Sequence, residues 1–498
     1  MRVKIFTVIL CSVVTAMAGC AVGPDFHSPS PPEVKNYLET TLPEETATAE
    51  VTCGEAQCFQ PGEEIPEKWW ELFHSGEMDR VIRIALKDNP TAAAAQAALR
   101  QAKENFQAQY GTTRYPQVDA NLSASRERFA GASFGQPGFG GSTFDLYNAS
   151  VKVSYLLDIF GGERRELEAL QAEVDYQDFQ LQGTYLALTA NVVTSAIQEA
   201  SLRARLRATH EILDDQQKAY SLVENQFEIG AVSRNDVLAQ KTQLAQTRAT
   251  LPALEKALSQ TRHQLAVLAG KFPGDAGSLP EFDIQKMELP TELPVNLPSS
   301  LVRQRPDIRA AEALLHAASA RVGVATANLY PSITISGSYG TESNRTGNLF
   351  DSNSVIWNLG AGLLQPIFHG GELNAKRRAV VAAYDQALAL YRETVLKGFL
   401  DVADALRALE SDARALKDQS DVEQFARDTL ELTRNQFKLG AVSYLSLLDA
   451  QRQYQEAKIN LILAQAARFA DTAALFQAMG GGWWNPVRET ETKGKTGN

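Results

Sequence analysis

The stretch Asn225-Gln-Phe-Glu-Ile-Gly-Ala-Val-Ser233 decides the fold, because nearly the same stretch recurs as Asn435-Gln-Phe-Lys-Leu-Gly-Ala-Val-Ser443. Two more pairs of matching segments lie upstream, in the same order and at nearly the same spacing along the chain. They are Tyr115-Pro116 with Tyr330-Pro331, and Ile159-Phe160-Gly161-Gly162-Glu163 with Ile367-Phe368-His369-Gly370-Gly371-Glu372. This self-similarity predicts an internally duplicated protein, whose function is to be sought in what the two halves build together.

The residues around each repeated stretch have the pattern of long helices. No proline occurs from Glu163 to Phe227, and a helix of that length reaches about 100 Å at 1.5 Å per residue. Apolar residues recur at a spacing of seven, which predicts left-handed coiled-coil packing. These positions are Val174, Leu181, Leu188 and Leu202, interrupted by Ser195; Val237, Leu244, Leu251, Leu258 and Leu265; and Leu388, Val395, Val402, Leu409 and Leu416.

Upstream of each long helix the hydrophobic period changes to two residues, which predicts strands with one apolar and one polar face. Each strand has about the ten residues that a tilted strand needs to cross a bilayer. A soluble sandwich is the alternative, but it fits poorly because only four long strands occur and they run directly into the helices. We predict strands at about 116–158 and 331–368, and helical hairpins at about 161–271 and 371–479.

The other boundaries follow from composition. Residues 20–68 are rich in Pro, Glu and Thr and predict an extended, irregular N-terminal arm. The first repeat covers 69–298 and ends in a proline-rich linker. The second repeat covers 299–482, and a tail follows at 483–498.

The first residues carry an export signal. Arg2 and Lys4 precede an apolar stretch from Ile5 to Val14, which is too short to span a membrane as a helix. Small residues then lead to Cys20, as in a bacterial lipoprotein that is cleaved before the cysteine and acylated on it. We predict a signal peptide at 1–19 and a lipidated Cys20; an ordinary signal peptide with a coincidental cysteine is the alternative.

The charge balance excludes several classes of protein. The chain carries 48 Lys and Arg against 59 Asp and Glu, a net charge of −11, and no basic run stands out, which argues against a nucleic-acid partner. No stretch of the mature chain is apolar enough for a membrane helix, which excludes a multispanning inner-membrane protein. The same observation does not exclude a β-barrel, because its alternating strands give a weak hydropathy signal.

Two cysteines remain in the mature chain besides the predicted lipid site. Cys53 and Cys58 lie close together in an acidic, loop-like segment. In an oxidising periplasm, their short spacing predicts a local disulfide. Two free thiols are the alternative. A zinc site is disfavoured, because no second Cys/His pair has ligand spacing.

The four strands require other copies of the chain. Known membrane barrels start at eight strands, and an open sheet edge in lipid leaves each backbone group unpaired at a cost of several kcal/mol. The protein is therefore expected to be an oligomer. Two copies give the minimum number of strands for a membrane barrel, and three give twelve strands with room for a channel.

The residues resemble those of the outer membrane factors, the TolC-like efflux and secretion channels, and most of all the NodT-type lipoproteins that serve resistance–nodulation–division (RND) pumps. The resemblance covers essentially all of the mature chain. The sequence departs from the family at His74-Ser75 and at the Cys53/Cys58 pair. The matching segments are Cys20-Ala-Val-Gly-Pro-Asp-Phe26, Trp69-Trp70, both Tyr-Pro pairs, Pro366-Ile-Phe368, both Gly-Ala-Val-Ser turns, Leu448-Asp-Ala-Gln-Arg452 and Gly480-Gly-Gly-Trp483.

The resemblance implies an α+β membrane protein that is internally duplicated. Each chain would contribute four strands to a trimeric, twelve-stranded outer membrane β-barrel and two hairpins to a long α-helical coiled-coil periplasmic tunnel. An adaptor protein and an inner-membrane RND pump would dock at the periplasmic end. The implied function is a passive exit duct for drugs and other toxic small molecules, anchored by lipid in the outer membrane of a Gram-negative bacterium.

The sequence contains no catalytic constellation, so we expect no enzyme activity, no cofactor and no metal site. Its six histidines are scattered, and no glycine-rich phosphate loop follows a strand. Soft ions need Cys or Met ligands. The mature chain has only Met78, Met287 and Met479, without a cluster, which argues against copper or silver handling, although an exit duct need not bind its cargo.

By resemblance, the periplasmic end closes through the second hairpin, just after Ser443. Leu445, Asp449 and Arg452 are spaced to share one face of a helix. Under threefold symmetry each becomes a ring of three: a leucine ring blocks by dewetting, and an aspartate ring draws cations. Arg452 would brace Asp449 of the same or a neighbouring chain. An ordinary surface ion pair, worth less than about 1 kcal/mol, is the alternative.

The two repeated turns are expected to contact the adaptor. Their glycines suit the end of one helix, and their serines suit the start of the next. Tight turns without a partner are the alternative. The residues are Gly230, Ala231, Val232, Ser233, Gly440, Ala441, Val442 and Ser443.

Two other functions compete with drug efflux. One is the outer membrane duct of a type I protein secretion system, and the other is an envelope tether that conducts nothing. The lipoprotein signal and Val22-Gly-Pro-Asp-Phe26 favour the pump-associated branch. Ser, Asn and Lys side chains on one face of the strands favour a wet lumen over a tether.

Overall fold

The computed structural model describes residues 21–34, 36–40, 43–130, 135, 141–295 and 297–485. The predicted signal peptide, Cys20 and the tail beyond Asn485 lie outside the described residues. The helices are α1 (Gly76–Asp88), α2 (Pro90–Arg114), α3 (Gly162–Glu228), α4 (Arg234–Leu268), α5 (Pro298–Gln304), α6 (Pro306–Ala327), α7 (Glu372–Lys438) and α8 (Tyr444–Ala478). The strands are β1 (Cys58–Pro61), β2 (Gln117–Phe129), β3 (Ser142–Leu157), β4 (Glu292–Val295), β5 (Ser332–Ser343) and β6 (Val355–Leu364).

Four strands form one antiparallel sheet in the order β2-β3-β5-β6. This sheet belongs to a compact unit made of Met1–Pro29, Ala98–Gln177 and Ala311–Tyr391. β2 and β6 are its edge strands. Successive residues of a strand point to opposite faces, so residues in register across the sheet share a face.

A second compact unit consists of Ser30–Ala97, Asp178–Ala310 and Arg392–Asn498. Its core is an aromatic cluster: the ring of Trp69 lies 5.6 Å from that of Phe476, and the ring of Phe73 lies 6.1 Å from that of Phe469. All four rings are buried. Rings of this size dominate the burial of apolar area and therefore fix how α8 packs against the start of the first repeat.

The long helices of the two halves match in length. α3 and α7 have 67 residues each, and α4 and α8 have 35 each. The boundaries of α7 and α8 lie 210 residues after those of α3 and α4, as for Gly162 with Glu372 and Glu228 with Lys438. At 1.5 Å per residue, each of the longer helices measures about 100 Å along its axis.

Most of the predicted packing positions of the long helices are buried, but Leu388 in α7 and Val237, Leu251 and Leu258 in α4 are only partly buried. Even the interrupting Ser195 is only 3% exposed. Among the described residues, no helix combines the length and the apolar content that crossing a bilayer requires. The buried positions are Val174, Leu181, Leu188 and Leu202 in α3, and Val395, Val402, Leu409 and Leu416 in α7.

The structure contains one sheet that the sequence did not predict. β1, in the arm, pairs in parallel with β4, in the linker between the halves. Both strands have four residues and include a proline, Pro61 in one and Pro294 in the other, so neither shows a readable alternation. The arm, which the sequence predicts to be extended and irregular, thus contains one short strand, and the proline-rich linker contains its partner.

Candidate functional site

The four-stranded sheet has an apolar face and a polar face. One row across all four strands consists of Val118, Val153, Gly337 and Leu359, and the next residue along each strand gives the row Asp119, Lys152, Ser338 and Asn358. Leu359 is 75% exposed, and Trp357 on the same face is 74% exposed. Such a sheet suits lipid on one side and water on the other.

The two hairpin turns have the same geometry. Gly230 and Gly440 adopt the left-handed conformation, with φ of 77° and 71°. In each turn the following alanine donates its backbone N–H to a carbonyl five residues earlier, at 2.8 Å for Ala231 and 2.9 Å for Ala441. Ser233 accepts from Asp236 N in a capping box, whereas Ser443 accepts from Ser446 N. Glycine is required here because left-handed backbone ends both helices.

Each turn presents a large aliphatic side chain to solvent. Ile229 is 81% exposed and Leu439 is 84% exposed, and each immediately precedes its turn glycine. An added Cβ at Gly230 or Gly440 would meet no atom within 4 Å. The repeated Gly-Ala-Val-Ser predicts the turns, whereas these two aliphatic residues were not predicted as a contact surface, although they occupy equivalent positions in the repeat.

The predicted gate residues lie near the start of α8. Leu445 is 72% exposed. Arg452 Nη2 donates to Asp449 Oδ1 of the same chain at 2.6 Å, and Gln453 Nε2 donates to Asp449 Oδ2 at 2.8 Å. The structure thus brings Asp449 and Arg452 together within one chain and leaves Leu445 uncovered. A gating role for the three residues stays a prediction.

A buried contact joins the two hairpins beside this site. Tyr444 is 5% exposed, and its hydroxyl donates to Gln240 Oε1 of α4. Gln240 Nε2 donates in turn to the carbonyl of Gln216 in α3 at 3.1 Å. Burial raises the pKa of Tyr444. The first residue of the other hairpin's second helix is the exposed Arg234, so only the second hairpin begins with such a link.

Both arm cysteines are free thiols in this structure, and the predicted disulfide stays a prediction for the exported protein. Cys53 is 3% exposed and Cys58 is half-buried. Burial raises the pKa of Cys53 to about 12. A thiol with a raised pKa holds little of the reactive thiolate, so burial slows the oxidation of Cys53.

Arg468 holds the cysteine-containing loop on α8. Its guanidinium is fully buried and donates from Nη1 to the carbonyls of Cys53 at 2.8 Å and Glu55 at 3.1 Å. Its Nη2 donates to Gln57 Oε1 at 2.9 Å and Thr46 Oγ1 at 3.2 Å. Burial lowers the pKa of Arg468, and the nearby acidic charges oppose that shift. The role of Arg468 is not visible in the sequence, because its acceptors are more than 400 residues away along the chain.

Asp471 is a second titratable side chain on α8 with a shifted pKa. Burial, together with a hydrogen bond to Asp412, raises the pKa of Asp471 to about 7. The folded protein therefore keeps a proton that the unfolded chain releases above about pH 4, so stability falls as pH rises from about 4 to about 7.

Asp471→Asn is expected to raise the thermal unfolding midpoint at about pH 8 by at least about 2 °C more than at about pH 5. The amide is neutral at both pH values and so escapes the cost of ionisation. Asp418→Asn, at an exposed position of α7, is the control. Equal shifts at both pH values would show that Asp471 is ionised throughout.

Among the described residues, no group of three His, Cys, Asp or Glu side chains is arranged to hold a metal ion. The functional features are instead the two-faced sheet, the long helices and the exposed turns.

The chain is similar to known efflux proteins over almost its whole length. The profile of the family described as "Outer membrane efflux protein" matches residues 81–271 and 297–481. The probable efflux pump outer membrane protein TtgC of Pseudomonas putida is 30% identical over 484 residues, which is 96% of each chain. The probable outer membrane lipoprotein SilC of Salmonella typhimurium is 28% identical over 477 residues, 95% of this chain and 98% of SilC.

A solved structure shares the fold. The outer-membrane channel OprN superposes with a TM-score of 0.82 at 27% identity, covering 93% of this chain and 100% of the OprN chain. The family is one of outer membrane channels and not of enzymes. The two-faced sheet, the paired hairpins and both family matches agree, and the chain belongs to the outer membrane efflux protein family, as an outer membrane channel protein of an efflux system.

Proposed function

We propose that three copies of this chain form a passive exit duct for small molecules, which a separate pump drives. The observation that carries the proposal is the four-stranded sheet, whose edge strands β2 and β6 have no partner strand among the described residues. In lipid, unpaired edges are costly, and closing three such sheets edge to edge gives twelve strands. The polar row that includes Asp119 and Lys152 would then line the lumen.

The tunnel would be built from a duplicated hairpin. The equal helix lengths, the constant 210-residue offset and the two matches to the family profile support an internal duplication. Three chains would supply six hairpins around one axis. Passage along such a tunnel needs no catalytic group, because the energy comes from the pump.

The duct would work with a periplasmic adaptor and an inner-membrane RND pump, and Cys20 would be acylated and would anchor the chain in the outer membrane. Support comes from the relatives: TtgC is named for an efflux pump, and SilC is named as an outer membrane lipoprotein. The exposed turns at 230–233 and 440–443 would contact the adaptor. The cargo would be drugs and other toxic small molecules, and type I protein secretion is the second candidate function.

The periplasmic end would close at Leu445, Asp449 and Arg452. Three copies of the exposed Leu445 would narrow and dry the pore, while three Asp449 carboxylates would draw cations to it. The Asp449–Arg452 pair at 2.6 Å would hold each carboxylate in place. Because both side chains of this pair are about half exposed or more, the pair contributes little to stability, and its proposed role is positional.

Planar-bilayer conductance tests the channel and its gate together. Purified wild-type oligomer is expected to show a small, cation-selective conductance, which rises about tenfold in Asp449→Ala if the ring biases closure by about 1.4 kcal/mol. Glu393→Ala is the matched control, because Glu393 forms an equally short, exposed pair with Lys397 on α7. No conductance from any variant, in preparations shown to be intact oligomers, would favour the envelope tether.

A further inference from the structure

The apolar face of the four-stranded sheet is bounded by tyrosine at both ends of β3. From the end nearer α3, the side chains on this face are Tyr155, Val153, Val151, Ala149 and Tyr147. The two tyrosines are eight positions apart in the chain, which is about 27 Å along a strand. A strand tilted by about 40° then covers a height of about 20 Å, close to the apolar band that lipid-facing strands present between two aromatic rows.

Two arginines continue this face beyond the apolar band. Arg126 and Arg128 occupy even positions of β2, as Val118 does, so they lie on the apolar face. The register places Ala124 opposite Tyr147, so Arg126 lies one step past the tyrosine row, at the end of the sheet away from the helices. Both arginine side chains are exposed. A guanidinium is costly in the middle of a bilayer but not at its edge, where the lipid headgroups lie.

Most of the hydrogen-bonding capacity of these two guanidinium groups is unused. Arg126 Nε lies 3.8 Å from Asp145 Oδ1, which is too far for a hydrogen bond, and the side chain of Arg126 is 76% exposed. Arg128 forms no ion pair and no side-chain hydrogen bond with any residue that the structure describes. A guanidinium offers five N–H donors in a planar fork that matches a phosphate group. Both side chains are therefore free to bind an anion.

Two acidic side chains at the same end of the sheet lie on the opposite, polar face. Glu127 alternates with the two arginines along β2, and Ser125 Oγ donates to its Oε1 at 2.9 Å. Glu342 of β5 is in register with Asn148, whose Nδ2 donates to Glu342 Oε2 at 3.2 Å. With Asp145 as the exception, this end of the sheet carries positive charge on the apolar face and negative charge on the polar face. An anion is therefore attracted to the apolar side alone.

We propose that Arg126 and Arg128 bind the phosphate groups of the glycolipid that forms the outer leaflet of the outer membrane. This end of the sheet faces the cell exterior when the helices extend into the periplasm, so the proposal rests on the proposed function. The acyl chains of the lipid cover the apolar face, and its phosphorylated disaccharide lies on the arginines. Alternate residues of a strand are about 7 Å apart, so one headgroup reaches both side chains.

Binding of purified lipid A, the acylated and doubly phosphorylated disaccharide, to the intact detergent-solubilised oligomer tests this site. Arg126→Gln combined with Arg128→Gln is expected to weaken binding about a hundredfold, since each lost charge-assisted contact reduces affinity about tenfold. Arg126→Lys combined with Arg128→Lys should lie between, because lysine keeps the charge and loses the fork. Arg248→Gln, which removes an exposed arginine from α4, is the matched control. Equal affinities of the glutamine-substituted chain and the wild type would overturn the proposal.

Asp145 provides a substitution whose expected effect has the opposite sign. Asp145→Asn removes the carboxylate beside Arg126, which repels phosphate, so lipid A should bind severalfold more tightly. If the arginines served only to hold the sheet through this ion pair, the substitution would lower the thermal unfolding midpoint of the oligomer and would not improve binding. An unchanged or weaker affinity in Asp145→Asn would therefore overturn the proposal.

Other phosphate compounds separate the glycolipid from alternative ligands of the same chemistry. Lipid A from which the phosphates have been removed should bind the wild type as weakly as intact lipid A binds the glutamine-substituted chain. Phosphatidylglycerol and inorganic phosphate should compete poorly. Displacement of lipid A by either of them at an equal concentration would overturn the assignment to the glycolipid. Planar-bilayer conductance reports on the duct independently, so failure of the lipid site and failure of the proposed function are distinguishable.

Discussion

Export is expected to fall to the level of a strain that lacks the protein when Ile229 and Leu439 are both replaced with aspartate. Both side chains are more than four-fifths exposed in the free protein. Burying a side chain of this size against a partner contributes about 1.5–3 kcal/mol. Aspartate removes that gain and adds the cost of desolvating a carboxylate. A trimer would have six such hairpin turns, so the loss of binding free energy would be multiplied.

The measurement is the resistance of cells that carry the chain with its own adaptor and pump, alongside native electrophoresis of the oligomer. Oligomer yield should not change, because both side chains are exposed to solvent in the free protein. Ile229→Leu combined with Leu439→Ile keeps both tips aliphatic and serves as the control. Full resistance in the aspartate variant would mean that the adaptor binds elsewhere, and the two turns would then be turns alone.

Arg468→Met is expected to release the N-terminal arm from the helical unit. The substitution leaves the buried carbonyl of Cys53 and the buried Oε1 of Gln57 without the donors of Arg468, whereas Thr46 Oγ1 still accepts from the backbone N–H of Gln57. Each unsatisfied buried acceptor costs about 1–3 kcal/mol, which is large beside the 5–15 kcal/mol that stabilises a typical domain. Methionine fills the space but donates nothing.

Digestion with a glutamate-specific protease measures this release, because the arm has several glutamates, among them Glu39, Glu44 and Glu50. A cost of about 3 kcal/mol should raise the cleavage rate about a hundredfold when cleavage follows opening. Arg414→Met, which removes a largely exposed guanidinium from α7, is the control and should leave the rate unchanged. Equal rates for Arg468→Met and the wild type would show that the arm is held mainly by its other contacts.

The parts of the fold that the sequence predicted are those with long, regular patterns. The spacing of Val395, Val402 and Leu409 continues over many turns, so tertiary contacts do not override it. The repeated Gly-Ala-Val-Ser located both turns, because left-handed backbone needs glycine. These signals are local in the chain or copied within it.

The contacts that the sequence did not reveal join residues far apart. Arg468 reads in the sequence as one more charge on a helix, and its burial depends on a loop from the opposite end of the chain. Asp25 was noted only as part of a motif, and its partner Arg165 has nothing to mark it. Tyr444 reads in the sequence only as the residue after a turn. Without regular spacing, such pairs appear only when the chain is folded.

The matched lengths of the long helices restrict how this protein can change size. One residue inserted into α3 would move its tip by about 1.5 Å and turn it by about 100°, which would take the buried face out of register. An insertion of seven residues keeps the face, and it carries one hairpin about 10 Å beyond the other. The two turns would then be displaced relative to each other, and a partner that binds both would lose its contacts with one of them. Lengthening or shortening the duct is therefore compatible with assembly only through whole heptads, made in all four long helices together.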